Sequence, residues 1–167
     1  MAQSLGRNRH LIMAKVDNRP GVLSRITGLF TRRGYNIESL VTGMTVSPDV
    51  YHITVTVIGT DDDVALLARQ LERCMEVIDV KCDGGDDWQF VSREMLLLRV
   101  PCQDPEKRVE ILNLCALTGC RAAGVGEKSV IVEITGDEGA VSGAQRAFEV
   151  FGGLEVIHSG TVGIDMY

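Results

Sequence analysis

One pattern of elements occurs twice along this chain, and the repeat restricts the fold before any single residue is considered. His10 to Val16 is a short apolar run suited to a buried strand, and Asp17-Asn18-Arg19-Pro20-Gly21 breaks it. Val22, Ile26, Leu29 and Phe30 then recur at helical spacing, with Gly34 as the stop after two arginines. Two β runs follow, Tyr35 to Val46 and Val50 to Ile58, separated by Ser47-Pro48-Asp49. The second alternates, with Ile53, Val55 and Val57 on one face and His52, Thr54 and Thr56 on the other. Thr60-Asp61-Asp62-Asp63 opens a second helix with capping and acidic side chains, and Val64, Leu67, Ala68 and Leu71 form its apolar stripe. Glu76 to Cys82 is the last strand of this half.

The acidic run Asp83-Gly84-Gly85-Asp86-Asp87 reads as a flexible linker, and after it the order returns. Glu94 to Val100 is a strand. Asp104 to Thr118 is a helix carrying Val109, Leu112 and Ala116, closed by Gly119. Arg121 to Gly126 and Ser129 to Thr135 are strands, Asp137 to Phe151 is a helix with Val141, Ala144 and Phe148, and Glu155 to Met166 is again β structure. Even the strand-to-helix junction is shared: Ile58-Gly59-Thr60-Asp61 against Ile134-Thr135-Gly136-Asp137. The reading is α+β, two tandem ferredoxin-like βαββαβ domains over residues 1–83 and 84–167.

Composition narrows the function. Hydrophobic residues are 45% and charged residues 24% of 167, enough apolar material for two cores, and with only 5% aromatics those cores rest on Val, Ile, Leu and Met. The net charge is −6 and no Lys/Arg cluster tracks along the sequence, which argues against nucleic acid. Cys74, Cys82, Cys102, Cys115 and Cys120 are odd in number and never spaced as CxxC, so they read as reduced apolar fillers rather than a disulfide framework or zinc site. The first residues, Met1 to Arg7, lack a signal-like apolar core, and no stretch approaches the roughly 20 apolar residues of a membrane span. A cytoplasmic location is expected.

Nothing in the sequence assembles into a catalyst. His10, His52 and His158 fall on three strands; His10 and His52 fit a solvated or hydrogen-bonded pair in the first sheet, or a metal site poor in further ligands. Gly124-Val125-Gly126-Glu127-Lys128-Ser129 fails as a phosphate loop, because Glu precedes the Lys and a strand follows. It reads as a hairpin turn.

The chemistry concentrates in Asp17-Asn18-Arg19-Pro20-Gly21-Val22-Leu23. Pro20 stands at a helix mouth, where a missing N–H costs nothing. Gly21 leaves room for an incoming group, and the amides of Gly21, Val22 and Leu23 lack intrahelical acceptors. Those donors and the helix dipole suit a carboxylate, and Asn18 adds a donor and an acceptor for a zwitterion. Equally, Asn18 or Asp17 caps the helix and nothing binds; the loop alone leaves both readings open. With sheet order 4-1-3-2, the second strand is an open edge. If two copies paired antiparallel along it, Asn36 at its start would approach the other copy's loop.

The run Asn18-Arg19-Pro20-Gly21-Val22-Leu23-Ser24-Arg25-Ile26-Thr27-Gly28-Leu29-Phe30, continued by Arg33-Gly34-Tyr35-Asn36-Ile37-Glu38-Ser39-Leu40, resembles the opening of acetohydroxyacid synthase (acetolactate synthase) small regulatory subunits, an ACT-domain family. Val91-Ser92-Arg93-Glu94-Met95-Leu96-Leu97-Leu98-Arg99-Val100 and Ile131-Val132-Glu133-Ile134-Thr135-Gly136 are similar to two further signatures of it. The resemblance implies a non-catalytic homodimer that holds a feedback amino acid, usually valine, between ACT domains. Asn18, Pro20, Gly21, Val22 and Leu23 would come from one copy, Asn36 and Ile37 from the other. It implies no cofactor in this chain; a separate large catalytic subunit would carry thiamine diphosphate, Mg2+ and FAD, with the C-terminal domain engaging it. Tyr51-His52 stands where the family commonly has Ser-Arg, and Thr118 to Val125 departs from its pattern. Two other classes, an ACT-type transcriptional regulator and a small enzyme, lack a helix-turn-helix and a catalytic constellation respectively.

Overall fold

β1 (Asn8–Asp17) is an inner strand of the first sheet, and its alternation decides what lies on each side. Ile12, Ala14 and Val16 turn towards the helices and are buried, while Lys15 on the opposite face is exposed. The remaining elements of this half are α1 (Val22–Arg32), β2 (Ile37–Met44), β3 (Val50–Gly59), α2 (Asp61–Leu71) and β4 (Val77–Cys82). A computed structural model describes residues 8–83 and 89–166. Most of the acidic linker expected at Asp83 to Asp87, like Met1 to Arg7, lies outside the described residues.

The first sheet has the order β2-β3-β1-β4, as the βαββαβ reading requires. Its core joins Ile12, Ala14 and Val16 to Ile53, Val55 and Val57 and to the helix stripes Val22, Ile26, Leu29, Phe30 and Val64, Leu67, Leu71. These are the positions picked out by periodicity, and each large one stabilises the fold by about 1.5–3 kcal/mol on burial. Thr60 caps α2 reciprocally: its hydroxyl accepts from the Asp63 amide at 3.3 Å, and its amide donates to Asp63 Oδ2 at 3.0 Å.

The second sheet repeats the topology with β5 (Phe90–Pro101), α3 (Pro105–Thr118), β6 (Arg121–Val125), β7 (Ser129–Gly136), α4 (Glu138–Phe148) and β8 (Glu155–Asp165), in the order β6-β7-β5-β8. Asp137 caps α4 through the Ala140 amide at 2.8 Å, matching Thr60 at the equivalent junction. The helix expected to run to Phe151 ends at Phe148 and tightens into one 3₁₀ turn, Glu149–Phe151. The Gly-rich segment is the β6–β7 turn, closed by the Gly126 amide on the Ser129 carbonyl at 2.9 Å.

α3 corrects the sequence reading. Ile111 and Cys115 face the core, whereas Val109 is 57% and Leu112 37% exposed and Ala116 lies outside. The helix is apolar on both sides, so periodicity supplied two candidate stripes and docking onto the sheet used the other one.

The chain divides into two compact units, Met1–Val91 with Gly160–Tyr167 and Ser92–Ser159. The boundary read after residue 83 gave all of β8 to the second domain; the units return its end to the first. From Gly160 onward β8 crosses the helix-free face of the first sheet as a strap. The Gly163 amide donates to the Thr54 hydroxyl at 3.2 Å, Arg9 Nη2 donates to Thr161 Oγ1 at 3.2 Å, and Lys81 pairs with Asp165. Two glycines permit this approach. Gly160, at φ +81°, would put a Cβ 2.7 Å from Val41 Cγ2, and Gly163 would put one 2.9 Å from Met13 Sδ. Thr54, on the polar face of β3, is consequently only 1% exposed.

Candidate functional site

Pro20-Gly21 builds the helix mouth as a type II turn. The Val22 amide returns to the Arg19 carbonyl at 3.3 Å, and Gly21, at φ 89° and ψ −10°, holds the third position, which demands positive φ. Glycine is thus favoured by the backbone conformation itself. Space is also there: a Cβ on Gly21 would meet nothing within 4 Å.

This geometry changes which amides are free. Of the three expected, Val22 is paired within the turn. Among the described residues the amides of Gly21, Leu23 and Ser24 form no hydrogen bond, and no side chain caps α1. Asn18 does not cap the helix: its Nδ2 donates to the Pro48 carbonyl at 3.0 Å, and its amide donates to the Asp49 carbonyl at 2.8 Å. It therefore fastens the loop to the β2–β3 connection and leaves its carbonyl oxygen as the group available to a ligand. Pro20 is exposed one residue before the helix cap, and Leu23 is 39% exposed beside the open amides.

The nearby cations are already paired. Arg19 reaches Asp17 at 3.4 Å, and Arg25 pairs with Glu76. Attraction for an anion at this mouth therefore comes from oriented backbone amides and the end of the helix dipole.

Asn36 and Ile37 lie elsewhere in the same copy. A Schellman ending of α1 sets them: Gly34, at φ +73°, donates to Thr31 at 3.0 Å, and Tyr35 donates to Phe30 at 3.1 Å. Ile37 pairs with Val57, whereas Asp17, next to the loop, pairs with Val50 at the other end of β3. Within one chain the two groups of candidate residues are at opposite ends of the sheet, and β2 is an edge strand.

The histidine pair does not form. His10 turns to the helix face, 5% exposed, with Nδ1 3.0 Å from Asp83 Oδ1, while His52 is on the strap side. Burial raises the Asp83 carboxyl above its ordinary range against the hydrogen bonds from Leu11 and His10. Among the described residues no group of three or more His, Cys, Asp or Glu could hold a metal ion, the five cysteines are free thiols, and no helix is long and apolar enough to cross a membrane.

Residues 12–79 match the AHAS small subunit-like ACT domain, and residues 93–166 match the family described as small subunit of acetolactate synthase. A probable acetolactate synthase small subunit of Archaeoglobus fulgidus is 40% identical over 92% of this chain and 94% of its own length. The chain belongs to the acetolactate synthase small subunit family. A member from Mycobacterium bovis is 35% identical over 93% of this chain and 90% of its own. The crystal structure of the small subunit from Thermotoga maritima superposes with a TM-score of 0.81 at 28% identity, covering 96% of this chain and 98% of that one. In this family member the ACT domain carries the open helix mouth and the β2 edge. The strap was the part of the surroundings that sequence reasoning missed, although Gly160 and Gly163 inside a β run are the usual sign of close backbone approach.

Proposed function

We propose that this chain is the regulatory subunit of an acetolactate synthase, binding a branched-chain amino acid, valine in the first instance, between the ACT domains of two copies. The observation that carries the reading is the α1 mouth, where the Pro20-Gly21 turn leaves the Gly21, Leu23 and Ser24 amides open on a helix of 11 residues. Those donors suit the ligand carboxylate. The Asn18 carbonyl oxygen suits its ammonium, and Leu23 offers apolar contact to a short branched side chain.

Antiparallel pairing along β2 would bring Asn36 and Ile37 of one copy to the mouth of the other and finish a pocket that neither copy has alone. Binding would then depend on the geometry of the dimer, and dimer geometry is what a catalytic partner can sense. In this reading the large catalytic subunit carries thiamine diphosphate, Mg2+ and FAD, is stimulated by this chain, and is inhibited through it when valine accumulates in the cytoplasm.

Titration calorimetry of the full chain with valine tests the site. A saturable heat with one ligand per copy is expected, together with weakening in Asn36→Ala by about tenfold, the value of one lost hydrogen bond to a charged group. Leucine and isoleucine should differ from valine by only ~1–3 kcal/mol, since each adds one methylene. Absence of heat from all three amino acids, or an Asn36→Ala variant that titrates like the wild type, would count against the intersubunit pocket.

A further inference from the structure

The strap leaves part of the sheet face uncovered, and that part is chemically distinctive. Cross-strand register sorts the face into rows. Val41, Thr54 and Met13 form one row, and Gly43, His52 and Lys15 form the next. Gly160 and Gly163 sit against the first row and Asp165 pairs with Lys81, so the second row stays open. An open groove of about 570 Å³ results, walled by Val41 and the exposed Met44, Val162 and Ile164, with Lys15, His52 and Asp165 at its polar end. This is within the ~300–1,000 Å³ of small-molecule sites, which are mostly apolar with a few convergent polar groups.

Asp165 also stands at the polar end, but Lys81 neutralises it, so the unmatched charge left there is cationic and favours an anion. Lys15 forms no ion pair among the described residues, whereas Lys81 is matched by Asp165. Burial and the Lys15 ammonium both hold the His52 ring below its usual range, against a weaker pull from Asp165. Neutral at neutral pH, that imidazole can donate or accept beside the ammonium. A hollow of about 450 Å³ in the second unit lacks this pattern: it is lined by Asp104, Glu106 and Glu110, and its Lys107 already donates to the Phe151 carbonyl at 3.2 Å.

We infer that the groove beside the strap is a second ligand site, which takes an aliphatic monocarboxylate with its carboxylate on Lys15 and His52 and its chain along Val41, Met44, Val162 and Ile164. The site lies on the sheet face opposite the helices and does not depend on the amino-acid pocket at the α1 mouth.

Methyl-resolved NMR of the full chain titrated with octanoate, and separately with octan-1-ol, tests it. Octanoate should shift the methyls of Val41, Met44, Val162 and Ile164, and octan-1-ol should bind weaker by about tenfold or more, because the charged hydrogen bond is gone. Lys15→Met should cost octanoate a similar factor at an exposed position that leaves the fold intact. Gly43→Phe should abolish binding, since an added side chain there meets no atom within 4 Å and projects into the groove. Equal binding of alcohol and acid, an unchanged Lys15→Met variant, or shifts confined to the α1 mouth would overturn the inference. So would intermolecular contacts placing a second copy in the groove. A valine titration on the same sample, followed at the Leu23 and Asn36 amides, reports the other site independently.

Discussion

Gly21 answers two demands, and they can be separated by substitution. Its φ of +89° costs any other residue strain, about 1–2 kcal/mol for an L side chain in the left-handed region. Gly21→Ala should lower the unfolding free energy measured in urea by that much while still binding valine, whereas Gly21→Asp should lose the same stability and all valine heat, because its carboxylate competes for the same amides. Alanine abolishing binding as fully as aspartate would mean that turn geometry, rather than the carboxylate's place, is what matters. His52 gives a second residue-scale test. Its pKa is lowered by burial first and by Lys15 second. Lys15→Met should therefore move its NMR titration upward, and Asp165→Asn should move it further down. The sign for stability follows. Below about pH 6.5 the unfolded chain takes the proton first, so stability falls with pH until the lower folded value is passed and changes no further beyond it. His52→Gln should flatten that part of the curve.

Elements differ in how far their own sequence determines them. α1 and α2 are amphipathic, so one stripe of each could be buried, and Val22, Ile26, Leu29, Phe30, Val64, Leu67, Ala68 and Leu71 are buried as the periodicity predicts. α3 has apolar residues on both sides, and only contact with β5 and β7 selects Ile111 and Cys115. Ile111→Ala should accordingly cost about 2–5 kcal/mol, as cavity-forming core changes do. Val109→Lys should stay within about 0.5 kcal/mol in the isolated chain. Similar losses at both positions in urea denaturation would mean that α3 is rotated from the arrangement described. The mouth of α1 was legible in Pro20-Gly21, but the pairing of Val22 was not, because it depends on turn type. The strap was legible only as two unexplained glycines, since which sheet face receives a strand's end is a long-range matter. Their costs should differ. Gly160→Ala combines positive φ with a clash against the stiff Val41 and should lose about 2–4 kcal/mol. Gly163→Ala presses on Met13, which can swing aside, and should lose less than about 1.5 kcal/mol. A harmless Gly160→Ala would show that the tail does not lie on the sheet in solution.

At the scale of the molecule, the proposed regulation reduces to one coupling free energy. Within one copy Asn36 and the α1 mouth occupy opposite ends of the sheet, and in the proposed dimer it is pairing along the β2 edge that brings them together. A ligand that spans the two copies therefore favours the dimer geometry that brings those ends together, and it disfavours any other. If the catalytic subunit prefers a different geometry, valine and that subunit must oppose each other, and thermodynamic linkage makes the opposition reciprocal. The factor by which saturating valine weakens the catalytic subunit's affinity for this chain must equal the factor by which the bound catalytic subunit weakens valine. About 5–150-fold is usual for such couplings. Calorimetry of valine with and without saturating catalytic subunit gives one side of the square, and sedimentation of the complex with and without valine gives the other. Equal factors greater than one, both lost in Asn36→Ala, are the expected outcome. A valine affinity indifferent to the catalytic subunit would leave feedback no equilibrium to act through, since a ligand that binds two states equally shifts neither.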